Sequence, residues 1–99
     1  MLNDRIGVCI VGSGFWAQEM HIPAFQAIPG VEVVCIVGSS EDKARQVAEK
    51  YGIKRWSSDY ETAIRTEDVD VVDILTPNNL HAPIAIAAAE AGKHVICIK

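Results

Sequence analysis

The sequence predicts a doubly wound α/β fold whose parallel sheet has the strand order 3-2-1-4-5, and three observations carry that prediction. Apolar, strand-like runs alternate with helical patterns along the whole chain, as right-handed β-α-β units require. The first run, Ile6 to Val11 (IGVCIV), is apolar at nearly every position, as a strand buried on both faces of a parallel sheet must be. That run breaks at Gly12-Ser13-Gly14 and passes straight into a helical pattern, with Ala17 three residues beyond Gly14.

The break has the form GxGxxA, and each small residue has a physical task. Gly12 makes the tight turn, Gly14 lets the backbone approach a pyrophosphate, and Ala17 permits close helix-strand packing. A side chain here would hold phosphates away from the N–H groups that open the following helix, where the helix dipole favours an anion. The stretch therefore predicts dinucleotide binding in a Rossmann-type domain.

The helix after the turn begins near Phe15 and carries Ala17 and Met20. Pro23 cannot continue a helix without losing a hydrogen bond, so a kink or restart is expected around His21-Ile22, with Pro23 in a first turn. Pro29-Gly30 ends the region, and Val31 to Val37 (VEVVCIV) is the second strand.

At the end of that strand an acidic residue commonly takes the ribose 2'-hydroxyl, but this chain has Gly38 followed by Ser39 and Ser40. Losing the carboxylate removes an acceptor for the hydroxyl and a repulsion against a 2'-phosphate, so the choice between NAD and NADP leans toward NADP. Ser39 and Ser40 can donate to that phosphate and Lys43 can supply a point charge, although no arginine offers a bidentate contact. Ser40 also reads as a helix N-cap.

Glu41 to Tyr51 is the next helix, closed by Gly52, and Ile53 to Trp56 is a short edge strand. Ser58-x-x-Glu61 has the form of a capping box before a short helix through Ile64, and Trp56 and Tyr60 read as packing residues. Asp70 to Leu75 is the fourth strand and leads into Thr76-Pro77-Asn78-Asn79-Leu80-His81, at the reversal of strand order where a ligand crevice opens. Ala82 to Ala91 is an alanine-rich helix with Pro83 in its first turn, and a fifth strand begins at His94 and runs to Ile98, where the sheet is truncated.

With 99 residues the chain forms a single domain. A net charge of -4 and the lack of any basic run argue against nucleic-acid binding. No apolar stretch approaches about 18 residues, so no membrane span is expected, and MLNDRIG does not resemble a signal peptide. Cys9, Cys35 and Cys97 lie in strand-like runs at no metal-binding spacing, which predicts buried thiols, no metal and a cytoplasmic location.

GSGFWAQEMHIPAF, TPNNLH and AGKHVICIK, in this order, make the chain similar to the N-terminal domain of the glucose-fructose oxidoreductase and inositol dehydrogenase (Gfo/Idh/MocA) family. The resemblance implies that Gly12, Ser13, Gly14, Phe15 and Trp16 surround the pyrophosphate, and that Thr76, Pro77, Asn78 and His81 line the nicotinamide side. It implies a second, C-terminal domain, outside these residues, that supplies most of the substrate site and much of the contact in a homo-oligomer. Lys99 matches the lysine of the family's Glu-Lys-Pro motif and is thereby implied as catalytic, whereas Ile98 stands where that motif has glutamate.

The leading expectation is the NAD(P)-binding portion of an oxidoreductase that moves a hydride between nicotinamide and a sugar, polyol or related hydroxyl-carbonyl pair. The chain by itself is expected to bind dinucleotide without turnover. The alternative is a non-catalytic dinucleotide sensor or regulatory module, which the altered Ile98 favours. A third reading is an oligomeric piece joined through its uncovered fifth strand. His21 and His94 are read as structural or surface residues.

Overall fold

A computed structural model describes residues 5–14, 17–76 and 78–97. Five parallel strands form one sheet in the order β3-β2-β1-β4-β5, as the alternating pattern predicts. They are β1 (Ile6–Val11), β2 (Val31–Val37), β3 (Arg55–Ser57), β4 (Val71–Ile74) and β5 (His94–Cys97). Between them run α1 (Ile22–Gln26), α2 (Glu41–Tyr51), α3 (Tyr60–Ile64) and α4 (Asn78–Glu90).

β1 is the centre of the sheet because its residues are apolar on both faces. Val8 and Ile10 pack with Ile22, Ala44, Val47 and Ala48 on the side of α1 and α2. Cys9 and Val11 pack with Ala63, Ile64, Ile84 and Ala88 on the side of α3 and α4. The register between β1 and β2 shifts after Val8, which pairs with Val33, so that Cys9 pairs with Cys35. Val34 is the extra residue of this bulge, and it resets the alternation so that Cys35 and Val37 share the face of Cys9 and Val11.

Several local expectations change once the segments are packed. α3 is capped by Asp59 and not by Ser58: the Asp59 carboxylate accepts from the Glu61 amide at 3.1 Å and from the Thr62 hydroxyl at 2.8 Å. Ser57 turns the chain into that cap, its Oγ accepting from the Asp59 amide at 2.8 Å. The third strand lies over Arg55–Ser57, with Ile53 buried beneath it as a core residue. Trp56 is 39% exposed on this edge strand and is not a packing residue.

α4 starts at Asn78, four residues before the expected Ala82, so Pro83 lies inside the helix and not in its first turn. The His81 ring folds back onto the Thr76 carbonyl at 2.5 Å and braces this early start, while exposed Pro83 forgoes one bond on the solvent side. Around Pro23 the expected break is found. Ala17–His21 is a π-helical turn, α1 begins afresh at Ile22, and Pro23 sits in its first turn. Gly52 closes α2 in the left-handed region, at φ 72°, with its amide on the Ala48 carbonyl.

The loop between α3 and β4 is tied to β3 by charge. Arg55 holds Asp68 with two hydrogen bonds, at 2.5 and 2.8 Å, and Lys54 approaches the same carboxylate at 3.1 Å. The Arg55 guanidinium, with help from Lys54, keeps the Asp68 carboxyl below its ordinary value against the opposing effect of partial burial. A carboxylate held low stabilises the fold above its unfolded pKa and loses that contribution as pH falls through the folded value. Asp68→Asn should therefore cost about 1 kcal/mol at neutral pH, and the urea midpoints of variant and wild type should converge below about pH 4. Parallel midpoint curves at all pH values would contradict this.

Candidate functional site

The carboxyl ends of β1, β2 and β4 are tied at one level by backbone bonds. Gly12 N donates to Val37 O at 2.7 Å, Leu75 N to Val11 O at 2.9 Å, and Gly38 N to Ser57 O at 3.0 Å. Above them opens a crevice of about 770 Å³, at the point where β1 separates β2 from β4 and the strand order reverses. That size is in the range of small-molecule and cofactor sites.

Gly12 can be nothing else. Its φ is 129°, and a Cβ there would stand 3.1 Å from the Leu75 Cβ and 3.2 Å from the Leu75 carbonyl. Gly14 is the reverse case: exposed, with no atom of the described residues beyond its chain neighbours within 4 Å of where its Cβ would be. The space over Gly14 belongs to the crevice, which Gly12, Ser13 and Gly14 all line. A turn whose missing side chain would project into open cavity fits a ligand that comes close to the backbone.

The β4 side contributes a second sign of a polar ligand. Thr76 lines the crevice, and its hydroxyl is buried with no hydrogen-bond partner among the described residues. Buried hydroxyls are rarely left so, and a polar group entering the crevice would satisfy it. His81 does not line the crevice. Its Nε2 is engaged by the Thr76 carbonyl, which makes it a brace for the strand end.

At the end of β2, Gly38 is buried, and a Cβ on it would meet the Ser13 Oγ at 2.9 Å and Ala44 at 3.3 Å. The place where an acidic residue is commonly found has no room for a side chain in this packing. Ser39 and Lys43 line the crevice beside it. Ser40 does not: it is the N-cap of α2, its Oγ accepting from the Lys43 amide at 3.2 Å.

Reading the sequence missed part of this wall. Gln18, Gln46, Val47, Ser58, Tyr60 and Leu75 also line the crevice. Gln46 follows Lys43 at i+3 on α2, a spacing that puts both on one helix face and could have singled it out. Ser58 and Tyr60 follow the end of β3, where the rule for open α/β sheets directs attention to strand ends. Tyr60 also packs against the core beneath α3 and α4, so packing and lining coexist in one residue. The expectations on Phe15, Trp16, Pro77, Ile98 and Lys99, and on the side chain of Asn78, lie outside the described residues.

His21, read as a structural or surface residue, has a partner that the sequence does not show: its Nδ1 lies 2.6 Å from Oδ2 of Asp73, which is fully buried. Burial pushes the Asp73 carboxyl up from its ordinary value, while the imidazole pulls in the opposite direction.

Comparison with known proteins agrees with the geometry. Residues 6–99 match a family model described as an oxidoreductase family, NAD-binding Rossmann fold. The chain is 39% identical to levoglucosan dehydrogenase of Pseudarthrobacter phenanthrenivorans, over 97% of this chain and 26% of that enzyme. It is 36% identical to scyllo-inositol 2-dehydrogenase (NAD(+)) of Bacillus subtilis, over 99% of this chain and 29% of that one. Levoglucosan dehydrogenase in complex with NADH and levoglucosan superposes with a TM-score of 0.88 at 39% identity, covering 94% of this chain and 27% of that chain. A 3-ketoreductase from Actinomadura kijaniata in complex with TDP-benzene and NADP gives 0.87 at 32% identity, covering 94% and 29%. The chain thus spans under a third of the length of these relatives.

Proposed function

Because the chain belongs to the Gfo/Idh/MocA oxidoreductase family, we propose that it is the NAD(P)-binding portion of an enzyme that moves a hydride between a nicotinamide coenzyme and a sugar, polyol or related hydroxyl-carbonyl substrate. The observation that carries this reading is the open space over Gly14, framed by Gly12 and by the unpartnered Thr76 hydroxyl. The coenzyme supplies the hydride chemistry, and the protein supplies binding, orientation and electrostatics.

Under this reading the turn from Gly12 through Ser13 and Gly14 to Phe15 and Trp16 receives the pyrophosphate at the start of the following helical segment. Thr76, Pro77, Asn78 and His81 form or brace the nicotinamide side, and Lys99 takes the part of the family's lysine beside substrate and coenzyme. The acid or base that exchanges the substrate proton comes from a second domain, which also supplies the contacts of a homo-oligomer. Sugar-type substrates are supported by the relatives, two of which are named for levoglucosan and scyllo-inositol. No helix among the described residues is long and apolar enough to cross a membrane, and Cys9 and Cys35 are buried free thiols, which supports a reducing, cytoplasmic setting.

NADP is the preferred coenzyme in this proposal. Gly38 leaves no carboxylate to repel a 2'-phosphate, while Ser39 and Lys43 line the crevice and Ser40 caps α2. Calorimetric titration of the chain should give tighter binding of NADPH than of NADH by about tenfold, or about 1.4 kcal/mol. Lys43→Ala should erase most of that difference. Preference for NADH would overturn the choice of coenzyme, and binding of neither would overturn the function.

A further inference from the structure

Between the glycine turn and α1 the backbone leaves the α-helical path for the π-helical turn Ala17–His21. Pro23 supplies a cause, since its nitrogen carries no hydrogen and the carbonyl of Glu19 loses the amide that an α-helix would bring to it. Turns of this kind occur often at functional sites. Besides backbone bonds, which include Gln18 N to the Gly14 carbonyl at 3.1 Å, three side-chain contacts hold this one. Gln18 Nε2 donates to the Ser13 carbonyl at 3.0 Å, and the Tyr51 hydroxyl donates to the Gln18 carbonyl at 2.7 Å. The third is the contact of 2.6 Å between His21 Nδ1 and Asp73 Oδ2.

The first two tie the turn to the glycine loop and to α2, and the third ties it to β4, two residues before Leu75. Asp73 is an expensive way to do this. It is flanked across the sheet by Ile10 and Ile96, it is completely buried, and its Oδ1 has no partner among the described residues. Among the described residues, every other fully buried large side chain of the core is apolar. Replacing both members of a buried polar pair by apolar residues of similar volume is often neutral or stabilising, whereas removing one member strands the other, so stability does not by itself account for the pair.

We propose that Asp73 and His21 are a positioning pair for the coenzyme phosphates: the buried carboxylate holds the imidazole, the imidazole holds the π-helical turn, and the turn sets the direction of the glycine loop. The inference rests on the dinucleotide reading given above. Neither residue touches the coenzyme in this account; both act through the loop.

Two variants separate positioning from plain structural support. The double variant His21→Leu/Asp73→Val removes both polar partners and fills their space, and Asp73→Asn keeps an acceptor for the imidazole while dropping the charge. NADPH and NADH affinities are measured by calorimetry, thermal stability by melting, and backbone order by hydrogen exchange of the amides at residues 17–21. The double variant should melt at or above the wild-type temperature, exchange faster through the turn and bind dinucleotide about tenfold more weakly, as expected when the loop spends about a tenth of its time in the competent form. Asp73→Asn should recover most of the affinity and protection. Asp73→Val alone, which strands the imidazole, should melt below the wild type and show the same losses of protection and affinity, and it carries those two expectations if the double variant does not fold.

Unchanged affinity and exchange in the folded double or valine variant would overturn the proposal, as would affinity and melting temperature of the double variant falling together without recovery of affinity in Asp73→Asn. If the wild type binds no dinucleotide, the functional reading fails, and unchanged exchange at residues 17–21 would then dismiss the pair as well.

Discussion

Gly7→Ala is expected to destabilise the chain by about 3 kcal/mol or more, enough to remove a large part of the stability of a domain this small. A Cβ on Gly7 would lie 1.8 Å from the carbonyl oxygen of Asp68, and the obstructing atom is backbone. The strand cannot yield easily either. The Gly7 amide donates to the Asp70 carboxylate at 2.8 Å, and the Gly7 carbonyl accepts from the Asp70 amide at 2.8 Å. Asp68 is itself clamped by Arg55, so the loop that would have to retreat is anchored on its other side. Urea unfolding of wild type and variant measures the effect, and a loss under about 1 kcal/mol would show that the loop moves freely.

Gly14→Asp should do the opposite, leaving the fold alone and removing the ligand. Its side chain would start in open space, so the change in stability should stay within about 0.5 kcal/mol. The same carboxylate would enter the crevice where the proposed pyrophosphate approaches, displacing it and repelling its charge. Affinity for NADPH and NADH should fall by about 100-fold or more, equal to about 2.7 kcal/mol. Melting and calorimetry on one preparation test both halves, and unimpaired binding by a folded Gly14→Asp chain would remove the glycine turn from the site. Together the two glycines distinguish a residue kept small for another part of the protein from one kept small for a ligand.

Much of this architecture was legible from residue order. Ile6 to Val11 read as a strand buried on both faces, which holds for all but Ile6, Pro23 as a helix restart and Gly52 as a helix end; each follows from the chemistry of a few neighbouring residues, although the same rule misplaced Pro83, which lies inside α4. The GxGxxA turn was legible for the same reason, since its meaning lies in the chain's local freedom at Gly12 and in the absence of bulk at Gly14. The crevice wall was half legible. Ser39, Lys43 and Thr76 stand near strand ends and were found by that rule, Gln46 and Tyr60 carried the weaker marks of helix spacing and a strand end, and Gln18 reaches the crevice from a turn whose orientation no local pattern states.

What residue order settled is the alternation of strands and helices, the sheet order and the place of the turn, because hydrophobic periodicity, proline and glycine act over a few residues at a time. Packing alone decided that Asp59 caps α3, that Val34 forms the bulge pairing Cys9 with Cys35, that Gly7 gives way to Asp68, and that His21 meets Asp73. The last two join residues 61 and 52 positions apart in a chain of 99. Such meetings are set by the closeness of backbones that only the assembled sheet brings together, and neither partner carries a local mark of the other.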